Sequence, residues 1–415
     1  MNSTAATRRT GMNVCHVITR LIVGGAQENT VLTCRGLVQR GHRVTLVAGR
    51  ETGPEGSLWG HAEACGAELV RLDDLRRRVN PWCDWRAGRG LRRLFERLRP
   101  DVVHTHSSKA GILGRWAAAR AGVPVIVHTI HGMSFNRTQP VAVRWLYRSL
   151  ERWAAWETTA FIAVAEAMVD QAVAARLAPR PRFATIRSGI ETDRFQPRPE
   201  VRARVRKAWG VPDHAVVVGT IARLFRDKGY EEILAAMPSA VIRVPALRFV
   251  WIGDGAYRGR YEARLKRLGL QDLVHFAGLV PPEQVADHVN GFDLLLHASR
   301  WEGLPRSVVQ GLLCEVPAVC FDNDGAPEVV VPNETGVLVR LGDVEGLSAA
   351  VVRLATDPPL RQTLGRRGRA RCLGEFDWAR MVDEIERLYD RCREAADGAV
   401  FPDLSTSWPV DRRDR

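Results

Sequence analysis

The chain has 415 residues, 46% hydrophobic and 26% charged, a composition that excludes a disordered polypeptide, and it is too long for one compact core and suited to two domains. No apolar run is long and charge-free enough to cross a bilayer as a helix. The net charge of +13 points to an anionic partner, namely a membrane surface, nucleic acid or a phosphorylated substrate, although lysine stands only at Lys109, Lys207, Lys228 and Lys266 and so arginine-rich coding composition accounts for part of the excess.

The N-terminal stretch to Val14 carries basic residues but no apolar segment of the signal-peptide kind, so no secretory signal is expected. The eight cysteines are Cys15, Cys34, Cys65, Cys83, Cys314, Cys320, Cys372 and Cys392, and none forms a C-x-x-C pair or a zinc-like cluster. Reduced, mostly buried thiols of a cytoplasmic protein are the expectation.

In chain order, Val14–Ile18 predicts a buried strand, Leu21–Gly25 a glycine-rich turn, Ala26 to Arg40 a helix stopped by Gly41, and Arg43–Ala48 a second strand. The turn holds Gly24 and Gly25 but lacks G-x-G-x-x-G spacing, so it is not a dinucleotide fingerprint; paired glycines still permit close backbone approach to a ligand. Leu69 to Arg99 is arginine-rich with Trp82 and Trp85, and Leu91, Leu94, Phe95 and Leu98 have helical spacing. That stripe predicts packing against a sheet, while the basic, tryptophan-bearing face keeps attraction to an anionic membrane open. Asp101–His106 and Pro124–Thr129 predict strands with a helix over Gly111–Ala121 between them, and His104, His106, His128 and His131 fall near strand ends. Zinc is the alternative these raise, but no acidic or cysteine residue is spaced to complete a site. Val141–Trp156 is apolar and basic, Phe161–Val164 predicts a strand, Glu166–Leu177 a helix, and Thr185–Ile190 closes the half. Pro197, Pro199 and the charged Glu200–Lys207 predict an interdomain linker.

The alternation then restarts with predicted strands at Val216–Ile221, Arg248–Ile252, Val274–Ala277, Phe292–Ala298, Pro317–Phe321 and Val337–Val339. Helices are predicted at Tyr257–Leu268, Val344–Thr356, Leu360–Leu373 and Trp378–Arg393, and Ala396 onward predicts a loose tail. The fold class is therefore α/β, with two doubly wound Rossmann-like domains whose facing strand ends form a cleft.

Within this frame, Glu302 falls in a strand-to-helix loop, Pro305 marks the first helical position and Gln310 lies more than a turn inside the helix. A carboxylate beside the free amides of a helix start suits a site that holds a phosphate and meets the group attached to it; a surface glutamate favoured by the helix dipole is the plain alternative. Arg223 and Lys228 flank another strand-to-helix loop and can grip a diphosphate, or be two solvated loop charges.

From Val14 to about Arg393 the motifs together resemble family 4 of the retaining glycosyltransferases, which have the GT-B fold. The matching pieces are Gly24-Gly25-Ala26, His104 to Gly111, His131-Gly132, Ser188 to Phe195, Arg223 to Gly229, Gly253-Asp254-Gly255 and Glu302-Gly303-Leu304-Pro305; the His-Ser-Ser-Lys-Ala-Gly run looks like bacterial members that build surface polysaccharides. The resemblance implies an acceptor-side domain over 12–197, a nucleotide-sugar domain over 198–376, a helix at 377–395 crossing back, and a tail at 396–415. It implies that Arg223 and Lys228 bind the diphosphate of a UDP- or GDP-sugar and Glu302 the sugar hydroxyls. Amides near Gly303, Arg306 and Ser307 complete the phosphate cradle, backbone near Val280 meets the base, His131 faces the sugar, and Gly25 lies close to the phosphates. It implies front-face displacement with no metal and no cofactor beyond the nucleotide-sugar co-substrate, and a lipid-linked or saccharide acceptor rather than nucleic acid.

One departure stands out. The family has a second glutamate eight residues after the first, bonding the ribose; this chain has Gln310, a weaker neutral acceptor. A nucleotide-sugar-binding protein without transfer activity is therefore the alternative, and an epimerase on the same fold lacks motif support. Net charge and the Trp/Arg-rich segments add peripheral association with the inner face of the plasma membrane.

Overall fold

The computed structural model describes residues 11–51, 55–136, 138–396, 398, 403 and 404. The first half folds into strands β1 (Asn13–Arg20), β2 (Arg43–Gly49), β3 (Glu68–Arg71), β4 (Val102–His106), β5 (Val125–Ile130), β6 (Ala160–Ala163) and β7 (Phe183–Thr185). They form one seven-stranded sheet in the order β3-β2-β1-β4-β5-β6-β7, parallel throughout. The second half supplies β8 (Val216–Ile221), β9 (Leu247–Ile252), β10 (Val274–Gly278), β11 (Leu294–His297), β12 (Ala318–Asp322) and β13 (Gly336–Arg340). These form a six-stranded parallel sheet in the order β10-β9-β8-β11-β12-β13.

Helices cover both faces of each sheet, so central strands read as unbroken buried runs: every residue of β4, β5 and β11 is buried. In both sheets the order reverses beside the domain's first strand, between β1 and β4 and between β8 and β11. Loops leaving the carboxyl ends there diverge and open a crevice, which is where doubly wound sheets hold ligands.

Three expectations need correction. The charged stretch read as a linker is a helix, Pro199–Ala208, with Pro199 in its first turn and Val201 and Val205 buried one turn apart. Arg206 anchors it, donating to the Gly291 carbonyl at 2.9 Å and pairing with Asp293. Strand β3 stands at the start of the basic segment, where only four residues pair with β2 and Arg71 ends the strand ahead of the arginine run, too short a stretch to show a period. Pro305 stands at the cap, one position before the helix Arg306–Leu313.

The apolar stripe does face the protein: the helix Pro81–Leu98 buries Ala87, Leu91, Leu94 and Phe95. All eight cysteines are free, seven of them buried. The helix Trp378–Ala396 lies against the helix Gly25–Gln39, where Val382 fills the space above Gly36 and Arg40 pairs with Asp383. Its Tyr389 hydroxyl reaches the His104 Nδ1 atom at 2.5 Å inside the first domain. Of the tail expected to be loose, Leu404 is 1% exposed within the first-domain core, and most of the remainder, like the basic N-terminus before Gly11, lies outside the described residues.

Tyr389→Phe leaves a ring nitrogen of buried His104 without its partner. The expected loss is about 1–3 kcal/mol, read as a lower urea midpoint; an unchanged midpoint would show that this contact does not hold the helix to the first domain.

Candidate functional site

The facing ends of the two sheets enclose a cavity of about 660 Å³. It is lined by Gly24, Gly25, His131, Arg223, Lys228, Val280, Glu302, Gly303, Arg306, Ser307 and Gln310, so the structure brings every predicted site residue to one place.

At its centre the Lys228 ammonium donates to both oxygens of Glu302, at 2.6 and 3.1 Å. Each arrives by local necessity. Lys228 ends a short 3-10 turn after β8, and Gly229 follows with φ of 78°; a side chain there would strike the Ala298 carbonyl at 1.8 Å, so only glycine lets this loop lie on the end of β11. Glu302 leaves β11 through Ser299 and Trp301, and its own N–H donates to Asp324 at 2.8 Å. Burial pushes the Glu302 carboxyl up, but the charge and hydrogen bonds of Lys228, with the charge of Arg223, outweigh it and hold the group below the usual carboxylate range. The glutamate is thus an ionised acceptor aimed into the cavity. His297 lies 4.0 Å from Glu302 and is itself held down to about 4, chiefly by burial, so it is neutral.

Arg223 stacks its guanidinium 5.1 Å over Phe225, and its side chain makes no hydrogen bond or ion pair among the described residues. Desolvation and the neighbouring Arg77 lower its pKa, and it remains a cation. It therefore faces the cavity as an unspent charge, beside a lysine already engaged by Glu302.

Predicted site residues take part in the contact with the first domain. A side chain at Gly303 would meet the His131 carbonyl at 2.0 Å, so the glycine lets the two domains touch backbone to backbone. Trp301 lies near Gly132 on the same seam. A side chain at Gly25 would meet Arg306 at 2.8 Å; the Arg306 guanidinium crosses there to the Gly189 carbonyl at 2.6 Å and to Glu28 at 3.1 Å. The Arg306 side chain thus bridges the domains, a role the motif reading did not include. Ser307 Oγ sits 3.4 Å from His297 Nδ1. Val280 is buried, and Gln310 lies between this cavity and a smaller one of about 200 Å³ that reaches Glu28 and Arg35.

The histidines divide by strand face. His104 and His106 alternate on β4, His16 pairs in register with His104, and these rings share one side of the sheet with His131, whereas His128 bonds Thr105 on the other. The ring nitrogens of His16, His104 and His106 lie within 4.8 Å of one another. Both nitrogens of His104 are engaged, by Tyr389 and Thr129, and both of His106, by His16 and His131, so holding one ion between these rings would cost a hydrogen bond at each of His104 and His106. The cluster is organised as a hydrogen-bonded network.

Sequence reasoning missed Asp324, which orients the Glu302 loop, and His297, which flanks its carboxylate. It also missed Arg20 and Arg77 on the first-domain wall, both near Glu55 at 3.5 and 3.8 Å. His297 ends a predicted strand at the carboxyl side and could have been found by that signal; the others carry no local pattern.

Known proteins resemble the chain along most of its length. The family profile described as "Glycosyl transferase 4-like domain" matches residues 24–189, and that described as "Glycosyl transferases group 1" matches residues 201–371. A putative glycosyltransferase, EpsD of Bacillus subtilis, is 29% identical over 72% of this chain and 79% of its own. The UDP-Gal:alpha-D-GlcNAc-diphosphoundecaprenol alpha-1,3-galactosyltransferase of Escherichia coli is 28% identical over 72% and 77%. Among solved structures, Alr3699/HepE of Anabaena in complex with UDP and glucose superposes with a TM-score of 0.79 at 18% identity, covering 91% of this chain and 99% of that one. With two facing parallel-sheet domains, and both halves matched in order by glycosyltransferase profiles, the chain belongs to the glycosyltransferases of the GT-B fold.

Proposed function

We propose that this protein moves a sugar, with retention, from a UDP- or GDP-sugar to a lipid-linked or oligosaccharide acceptor in the synthesis of a cell-surface polysaccharide. The observation that carries the reading is the ionised Glu302 paired with Lys228 beside the unspent Arg223, in one cavity between the domains. Diphosphate as leaving group needs positive charge where its own charge develops, and Arg223 and Lys228 supply it. The helix Arg306–Leu313 begins at Pro305 without a side-chain cap, so its first amides, with that of Gly303, are suited to a phosphate oxygen. Glu302 accepts from hydroxyls of the donor sugar, His131 faces the sugar from the first domain, and backbone at Gly24 and Gly25 lies near the phosphates. Base and ribose lie toward Val280 and Gln310.

The acceptor hydroxyl forms its bond to the anomeric carbon on the face from which the diphosphate oxygen leaves. The bond to that oxygen breaks, and the departing oxygen takes the acceptor proton. The names of relatives support the donor class and the sense of transfer: a UDP-Gal alpha-1,3-galactosyltransferase, and a GDP-mannose-dependent alpha-(1-6) mannosyltransferase of Mycolicibacterium smegmatis, 29% identical over 67% of this chain and 73% of its own. Alpha products are what retention delivers from an alpha-linked donor. One relative's acceptor is a diphosphoundecaprenol, and the Arg20 and Arg77 side chains on the first-domain wall suit an anionic acceptor of that kind.

Such an acceptor resides in a membrane, and the surface supports docking to one at the inner leaflet. Among the described residues no helix is long and apolar enough to cross a membrane. The helices Pro81–Leu98 and Val141–Ala155 both pack on the helix Ser108–Arg120 and so share one face of the first sheet. They expose Trp82 (65%), Trp145 (69%) and, just beyond, Trp156 (87%), interleaved with Arg86, Arg89, Arg92 and Arg152. Indole rings among arginines suit an anionic interface.

Thermal-shift screening with UDP, GDP, ADP and their sugars identifies the donor. With that donor, Glu302→Ala and Lys228→Ala are each expected to cut turnover about 10²–10³-fold, and near-normal turnover in both would end the proposal. Gln310→Glu is expected to tighten UDP or GDP binding by up to about tenfold in calorimetry, since a carboxylate accepts from ribose hydroxyls more strongly; unchanged or weaker binding would remove Gln310 from the ribose site. Vesicles of phosphatidylglycerol and phosphatidylcholine should sediment the protein at low salt and release it at high salt, and the triple change Trp82→Ser, Trp145→Ser, Trp156→Ser should reduce that binding by about tenfold or more. Binding indifferent to both salt and the tryptophans would rule out this face as the docking surface.

A further inference from the structure

Three imidazoles run in file from the interior of the first sheet to the cavity. His16 Nδ1 lies 3.0 Å from His106 Nε2, and His106 Nδ1 lies 3.1 Å from His131 Nε2. The ring pairs are nearly parallel, at 13° and 29°, with centroids 5.3 Å apart in each case. His16 and His106 are fully buried, whereas His131 is half-buried and lines the cavity. Its Nε2 is taken by His106, which leaves Nδ1 as the ring nitrogen available to the cavity.

We propose that His106, backed by His16, is a positioning residue that sets the tautomer of His131, so that His131 presents an Nδ1–H to an oxygen of the donor sugar. The identity of that oxygen rests on the sugar-transfer reading above; the tautomer itself does not.

Burial holds His16 and His131 down to about 3 and His106 well below its usual range, so all three rings are neutral near pH 7. Arg306 adds to the effect at His131. A neutral imidazole has one N–H and one lone pair. His106 takes part in two ring-to-ring bonds, so it must donate in one and accept in the other, and the chain has a single direction. Two directions exist. If hydrogen bonds pointed inward, from His131 to His106 to His16, the last proton would sit on His16 Nε2. That atom is buried and has no hydrogen-bond partner among the described residues. An orphaned buried N–H is rarer in folded proteins than an orphaned acceptor. The chain therefore points outward: His16 Nδ1–H donates to His106 Nε2, His106 Nδ1–H donates to His131 Nε2, and His131 is left with its proton on Nδ1. Free imidazole side chains in water favour the other tautomer, so the file of rings imposes a state that His131 would not adopt by itself. His104 does not join the file, because Tyr389 and Thr129 hold both its nitrogens.

The test is ¹⁵N-histidine NMR on the full-length protein without substrate, with the His131 signals assigned by their loss in His131→Gln. The expected spectrum has a protonated Nδ1 and a bare Nε2 at His131; a protonated Nε2, or an imidazolium, at neutral pH overturns the proposal. Two replacements of His106 then separate hydrogen bonding from packing. In His106→Asn the side-chain amide stands where Nδ1 stood and can still donate, so the His131 Nδ1–H signal should persist. In His106→Leu the donor is gone; the signal should change, and kcat with the donor found by screening should fall about tenfold while its KM moves less than about twofold. Asn and Leu variants that lose turnover alike with the His131 tautomer unaltered would show a packing role only and sink the idea. Because the tautomer is read without substrate, a failure of the transfer reading and a failure of this one remain distinguishable.

Discussion

The ion pair between Lys228 and Glu302 is the constraint around which the cleft is built. The carboxylate, 19% exposed at the cavity wall, is held in its charged form by a close partner. Lys228 answers the charge at 2.6 Å from a loop 74 positions away, and that loop reaches the end of β11 only because Gly229 has no side chain. The pair also fixes what a ligand meets. Glu302 is kept ionised as an acceptor for hydroxyl groups, and Lys228 is kept within reach of whatever anion lies beside it. Arg223, whose side chain makes no hydrogen bond or ion pair among the described residues, is the group whose charge is open to a ligand.

The same economy governs the domain interface. The two sheets approach where side chains are missing: Gly303 against the His131 carbonyl, and Gly25 under Arg306. Arg306 then ties the second domain to Glu28 and to the Gly189 carbonyl of the first. A helix start that is suited to phosphate by its backbone is thus attached by its first side chain to the facing domain. In the proposed reaction this places the phosphate-binding amides and the domain seam on one residue, so that donor binding and the spacing of the cleft are mechanically joined. The C-terminal helix acts at a distance from the cleft, since Tyr389 holds His104, the neighbour in register of His16.

Much of the site was legible because its parts lie at strand ends, and strand ends in a doubly wound sheet converge on one crevice. Glu302, Lys228, Arg223 and His131 could be singled out before their distances were known. The misreadings came where charge or brevity hid a period: Glu200–Lys207 looked like a linker although Val201 and Val205 are one helical turn apart, and the four residues of β3 ahead of the arginine run are too few to show an alternation. Asp324 and Arg306 were missed as structural partners because neither has a neighbour in sequence that announces its contact.

The amino-acid sequence by itself determined the alternation of buried strands and amphipathic helices, the glycines that permit close approach, and the carboxylate, ammonium and guanidinium available at the strand ends. These follow from local periods of two and 3.6 residues and from the stereochemistry of single positions. Only the tertiary structure decided that Lys228 answers Glu302, that Arg306 crosses to Glu28 over 278 positions, and that His16 finds His106 over 90. Those pairings are set by strand register and by how two domains close, and no local period encodes a contact between residues so far apart along the chain.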